Sequence, residues 1–230
     1  MNLGTKPDTT AGSGDRTVQV WDLFVRTFHW SLVVAFFVAY MTEDDLLTPH
    51  VWAGYAVGGL LILRVLWGFV GPKHARFSDF LYAPATVAAY MRDLIGFRAK
   101  RYLGHSPAGG AMVFALMIGL AATVWSGMEL YADAEGKGPL ASTLAAPAMA
   151  SISAGPANGA RHYLASADDK ERDEEHEGGR DSRWEDVHEV LAHLTFLLVL
   201  AHLGGVALAS FVHRENLARS MVSGRKRAEE

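Results

Sequence analysis

The sequence predicts an all-α integral membrane protein, a four-helix bundle with a short interfacial helix between its second and third spans. Half of the 230 residues are hydrophobic and the mean hydropathy is +0.11, above what a soluble domain of ordinary composition shows. The apolar residues gather in four blocks. The chain has no cysteine, so disulfides and thiolate-held metals are excluded.

Three blocks, Val51–Val70, Gly109–Met128 and Val190–Val212, reach the length of about 20 residues that a helix needs to cross the hydrocarbon core. The block Phe28–Met41 is shorter. It continues back through Val20, Trp21, Leu23, Phe24 and Val25 if Asp22 and Arg26 lie among the headgroups. The expected organisation is a polar, disordered cytoplasmic N-terminus over 1–17, a membrane domain over 18–212 and a cytoplasmic tail over 213–230. The spans are placed at about 20–41, 51–70, 109–130 and 187–212, with an outer loop over 131–186. Residues 1–17 lack the basic segment, apolar core and cleavage site of a secretory signal, so they are expected to be retained.

Charge sets the orientation, because cytoplasmic flanks carry the excess of Lys and Arg. Between spans two and three lie Lys73, Arg76, Arg92, Arg98, Lys100 and Arg101 against Asp79 and Asp93, and the tail adds Arg214, Arg219, Arg225, Lys226 and Arg227. The first turn holds Glu43, Asp44 and Asp45 with no base, and the segment from Glu129 to Asp186 carries 13 acidic and six basic residues. Both termini and the middle loop are therefore expected in the cytoplasm. Behind Pro84, Val87, Met91, Leu94 and Ile95 recur at helical spacing, the pattern of an interfacial helix. The acidic segment, including the run Asp168–Glu177, cannot bury a core of its own and reads either as a mobile surface for a basic partner or as a solvated linker.

Four of the ten histidines, His29, His50, His188 and His202, lie in spans or at their ends, where ionisable residues are costly and usually functional. His188 and His202 are 14 residues apart, which returns to within about 40° of one helix face and separates them by about 21 Å. Two imidazoles so placed suit two cofactors better than one metal ion, whose ligands must converge. Topology pairs His29 with His202 at the inner end and His50 with His188 at the outer end, each pair suited to axial ligation of a haem. His193 points about 140° to 180° away from the face shared by His188 and His202 and is not counted. His74, His105, His162, His176 and His213 fall in loops or at membrane edges, where solvation is the ordinary expectation.

Several motifs resemble the bacterial di-haem cytochrome b-561 family, which includes the b-type cytochrome subunits of nickel–iron hydrogenases. They are Val20-Trp21-Asp22 through Arg26-Thr27-Phe28-His29-Trp30, His50-Val51-Trp52-Ala53-Gly54-Tyr55, and Arg64-Val65-Leu66-Trp67-Gly68-Phe69-Val70-Gly71-Pro72. His74-Ala75-Arg76-Phe77-Ser78-Asp79-Phe80, Gly104-His105-Ser106-Pro107-Ala108-Gly109-Gly110 and His188-Glu189-Val190-Leu191-Ala192 complete the set. The resemblance implies that spans one, two and four carry the haem-ligating histidines, at the four positions already reached by spacing. It departs at Ser106, where relatives usually have Asn, and this bears on His105.

Arg64, inside span two and 14 residues after His50, is expected either to meet a propionate of the inner haem or to snorkel to the headgroups. Arg26, Lys100 and Arg101 are further propionate candidates, and His105 is carried as a cofactor-binding candidate. Gly54 and Gly58 follow His50 on its face, so they either leave room for a flat macrocycle or pack against another helix. Gly204 and Gly205 are ambiguous in the same way, and the aromatic belt accounts for most of the six tryptophans.

The expected cofactors are two haems b and a ubiquinone or menaquinone. The expected function is electron transfer across a bacterial inner membrane between the quinone pool and a soluble c-type cytochrome or a dehydrogenase or hydrogenase complex. A stand-alone quinone-linked oxidoreductase acting on a small oxidant such as superoxide is the alternative, and a non-haem transporter is a third class. A nucleic-acid partner is not expected.

Overall fold

The computed structural model describes residues 17–43, 46–141 and 162–228. The predicted disorder of residues 1–16, the acids at 44–45 and the loop residues 142–161 lie outside the described residues. Four helices are long and apolar enough to cross a membrane: α1 (Leu23–Met41), α2 (Leu47–Val70), α4 (Pro107–Glu135) and the segment Arg183–His213 of α5 (His162–His213). The interfacial helix α3 (Pro84–Ile95) lies between the second and third of them, as expected.

Helix α1 starts three residues later than the sequence suggested, because the Asp22 side chain accepts a hydrogen bond from the Val25 amide and fixes the N-cap there. Val20 and Trp21, assigned to the first span, instead pack with Val25 and Ala75 in a cluster below the bundle. Trp21 is thus a packed residue and not a member of an aromatic belt. Helix α4 begins at Pro107, with the Ser106 hydroxyl accepting from the Gly109 amide. It ends at Gly136, whose φ of 61° is the left-handed conformation that favours glycine at a helix end.

Helix α5 begins at His162, so the backbone is already helical through the acidic stretch that the composition assigned to the loop over 131–186. Residues 162–182 include four Glu, two Ala, two Arg and one Lys, which are good helix formers. A stretch continuous with a membrane helix also avoids a new nucleation cost.

The two ends of the described chain meet. A short strand β1 (Thr17–Gln19) pairs antiparallel with β2 (Arg225–Arg227), which follows helix α6 (Leu217–Ser223). Lys226 is 7% exposed, lies over the Trp21 ring, and donates to the carbonyls of Tyr102 and Gly104. Arg101 makes a two-pronged ion pair with Glu215 and also donates to the Arg227 carbonyl. The tail is therefore a folded cap, and its end of the bundle is called the inner end below.

Apolar side chains point outward along every span, among them Val34, Ile62, Phe69, Ile118 and Leu197. Hydrocarbon is the environment that accommodates such faces. Helix α3 buries Tyr90 and Leu94 and exposes Met91 and Ile95, consistent with lying in the interface. Helix α4 packs closely on α5, α1 on α2, and α2 on α4. Between α5 and α1 the Tyr40 and Phe196 rings stack 4.7 Å apart. A slot lined by the four span histidines lies between α5 and the first two helices.

Candidate functional site

The slot is where the four span histidines face one another. The rings of His29 and His202 have centroids 6.5 Å apart and planes inclined at 55°. Those of His50 and His188 are 5.9 Å apart and inclined at 84°. A metal–imidazole bond of about 2 Å, plus about 1 Å from nitrogen to ring centre, sets rings on opposite sides of one metal about 6 Å apart. Both pairs have that separation. Along α5 the pairs stand about 21 Å apart.

The outer pair is held by hydrogen bonds that leave one nitrogen free. His50 Nδ1–H donates to the Ala39 carbonyl at 2.9 Å. His188 Nδ1 lies 3.0 Å from the Ser126 hydroxyl. Both arrangements direct Nδ1 away from the slot and leave Nε2 as the available donor to a metal. The cleft between these rings has a volume of about 90 Å³ and is lined by Gly54, Tyr55, Gly127 and Glu43 as well as the two histidines.

The inner pair has different surroundings. His29 Nδ1 is buried without a hydrogen-bond partner. Arg64, 3% exposed, lies with its guanidinium 4.9 Å from the Phe77 ring centre, and its Nη1 is also buried and unpartnered. The arginine therefore does not snorkel to the headgroups. A guanidinium buried at this cost, about 2.5–3.5 kcal/mol on insertion scales, fits an anionic group in the slot. Arg26 donates to the Val222 carbonyl, while its Nε is buried and unpartnered. Arg101 is engaged by Glu215, and Lys100 is exposed.

The orphaned Nη1 and the slot between α5 and the first two helices fit a flat, doubly ligated macrocycle carrying carboxylates. Haem matches that description. Gly54 meets nothing within 4 Å of an added Cβ and so opens onto the cleft, whereas a Cβ on Gly58 would touch Val124 at 3.2 Å. Gly54 gives room and Gly58 packs. Gly204 and Gly205 have no neighbour within 4 Å of an added Cβ.

Two loop histidines depart from the expectation of solvation. His74 Nδ1 is 2.9 Å from Asp79. His105 lies against Trp21 at 4.7 Å and Phe80 at 4.2 Å, with Nδ1 buried and unpartnered. Burial, aided by the nearby positive charges of Arg64 and Lys226, pushes its imidazole down to about 3. His193 Nδ1 turns back to the Glu189 carbonyl and stays outside both pairs.

Helix α4 holds none of the four span histidines, yet it shapes their surroundings in a way the sequence did not reveal. Gly119, Thr123, Ser126 and Gly127 form a face of small residues against α5. Thr123 bonds to Thr195, Ser126 reaches His188, and Cβ atoms on Gly119 and Gly127 would press on Thr195 and His188. The spacing of small residues along Gly119–Gly127 is the signal that could have revealed this face.

A family model described as prokaryotic cytochrome b561 matches residues 20–224. The chain is 23% identical over 171 residues to a probable Ni/Fe-hydrogenase B-type cytochrome subunit of Rhodobacter capsulatus, covering 61% of this chain and 64% of that protein. It is 28% identical over 157 residues to the protein of the same description from Azotobacter chroococcum mcd 1, covering 55% and 65%. The counterpart from Bradyrhizobium diazoefficiens is 27% identical over 169 residues, covering 56% and 68%. The match thus spans slightly less than two thirds of the first two relatives. No solved structure matches the chain.

Proposed function

The chain belongs to the prokaryotic cytochrome b561 family, a membrane b-type cytochrome of electron transfer, and on that premise we propose that it holds two haems b and carries electrons across the bilayer. His29 and His202 would hold the inner haem, and His50 and His188 the outer one. The observation that carries this reading is the pair of ring separations, 6.5 and 5.9 Å, each matching two imidazoles on one metal. Haem held by two imidazoles would supply one-electron exchange.

The residues around the pairs orient, neutralise and enclose. Ala39 and Ser126 hold the outer rings, Arg64 would partner a carboxylate at the inner end, and Gly54 leaves space for a flat ring. His105, packed against Trp21 and Phe80, would support the inner site from behind.

The relatives' descriptions support a hydrogenase or similar dehydrogenase complex as one redox partner, with a soluble c-type cytochrome as the other class. Ubiquinone or menaquinone in the bilayer is the proposed counterpart. The basic residues around α3 and α6 support a bacterial inner-membrane location with both termini in the cytoplasm, and the pairing of β1 with β2 keeps those termini on one side. Glu43 at the mouth of the outer cleft disfavours superoxide as the reductant there.

The test is reconstitution into vesicles with quinone in the membrane and the chain's haems reduced from one face. Reoxidation of both haems by quinone, with no superoxide-dependent reduction, is the expected outcome. Superoxide-driven quinone reduction would favour the stand-alone oxidoreductase.

A further inference from the structure

The Ser126 hydroxyl has one proton and two polar neighbours in α4 and α5. It donates to the Thr123 carbonyl at 3.0 Å. With that proton on the carbonyl, the hydroxyl meets His188 Nδ1 at 3.0 Å as acceptor and the imidazole donates. Nδ1 then carries hydrogen, and the lone pair sits on Nε2.

Three further features make this contact a built arrangement. Ser126 is 1% exposed, so water does not compete for its oxygen. Its neighbour Gly127 leaves space that a Cβ could not occupy, because that atom would stand 2.8 Å from His188 Cε1 and 3.2 Å from Nδ1. Thr123 is itself held by Thr195 of α5 through a hydroxyl bond of 3.0 Å. The serine, the carbonyl that orients it and the ring it meets therefore move as one unit.

We propose that Ser126 is the positioning residue of the outer haem: it fixes the tautomer and rotation of His188 and, by accepting from Nδ1–H, makes that ring a stronger electron donor to iron. The assignment rests on the reading of His188 as an axial ligand. A hydrogen bond at the far nitrogen raises ligand basicity and stabilises the oxidised metal, lowering its potential. At the inner pair, His29 Nδ1 is buried without a partner among the described residues. Ser126 therefore acts on one haem and not on the other.

The experiment is a potentiometric titration of the full chain with optical and low-temperature electron paramagnetic resonance spectra, in Ser126→Ala and Ser126→Thr variants. His188→Ala identifies the outer component as the one that disappears. Ser126→Ala is expected to shift the oxidised-to-reduced equilibrium of that component about tenfold toward the reduced form, about 59 mV for a one-electron couple, and to move its ferric signal. The other component should stay in place, and Ser126→Thr should restore both readings. Selective loss of the outer haem in Ser126→Ala, with retention in Ser126→Thr, would support the same role through affinity.

Unchanged outer potential and signal in Ser126→Ala, or an equal shift of both components, would overturn the proposal. If Ser126→Ala does not accumulate, Ser126→Cys keeps the volume, weakens the acceptor and is read against the same outcomes. Failure of the ligand reading looks different: His188→Ala would keep both haems. Loss of one haem in His188→Ala with no response in any Ser126 variant would sink this proposal alone.

Discussion

The outer and inner histidine pairs present the same side chains in opposite surroundings. At the outer pair each imidazole has a hydrogen-bond acceptor behind it, from Ala39 and Ser126, and the mouth of the cleft carries Glu43. At the inner pair the His29 nitrogen has no partner, while the buried charge is the Arg64 guanidinium. Hydrogen bonds to the ligands and nearby positive charge act on a haem with opposite sign. With haems held as proposed, the difference between the ends would bias the outer iron toward the oxidised form and the inner iron toward the reduced form.

The comparison breaks most sharply at the glycines of the outer cleft. Gly127→Val drives side-chain atoms into a ring already 2.8 Å from an added Cβ. It should remove the outer haem from nearly every chain while sparing the inner one, as read from haem content and the reduced spectrum. Gly54→Leu fills open space on the same side and should lower outer occupancy about tenfold, within the range for disturbed metal surroundings. Gly58, which packs on Val124, should respond differently: Gly58→Ala should change stability by about 1 kcal/mol and leave haem content alone.

Arg64→Leu tests the other end. Removing a buried positive charge should lower the inner potential by a shift of about tenfold in its redox equilibrium, about 59 mV. Potentiometry should find the outer haem unmoved. An inner potential equal to that of the parent would show that the arginine serves packing alone.

His105 gives a smaller effect with a defined sign. Its imidazole is held down to about 3 in the fold and titrates near its ordinary value of 6.5 when unfolded. The unfolded chain therefore binds the extra proton between those values. The stabilisation that neutral His105 provides is complete above pH 6.5 and is lost as pH falls toward 3, by up to about 1.4 kcal/mol per pH unit. Thermal unfolding in detergent between pH 4 and pH 7 should lose part of its slope in His105→Gln.

Much of this arrangement was legible from residue spacing. The interval of 14 from His188 to His202 is a property of helix periodicity, and the hydropathy blocks delimit the spans without tertiary information. What escaped depends on how helices are rotated against each other. Ser126 looks like any small residue in a membrane helix until α4 is seen against α5 and His188. Arg64 read equally as buried or snorkelling, because the position alone does not say that Phe77 folds back over it. Trp21 looked like part of a span until the Asp22 cap ended the helix before it. The cap of β1 on β2 joins segments more than 200 residues apart and has no local signature.

The measurement that bears most directly on the two-pair account is haem per chain by pyridine haemochrome, in the parent protein and in His188→Ala and His202→Ala. The account predicts two haems b in the parent and one in each variant, with a different spectral component missing in each. A variant that retained both haems, or two variants that lost the same component, would contradict it.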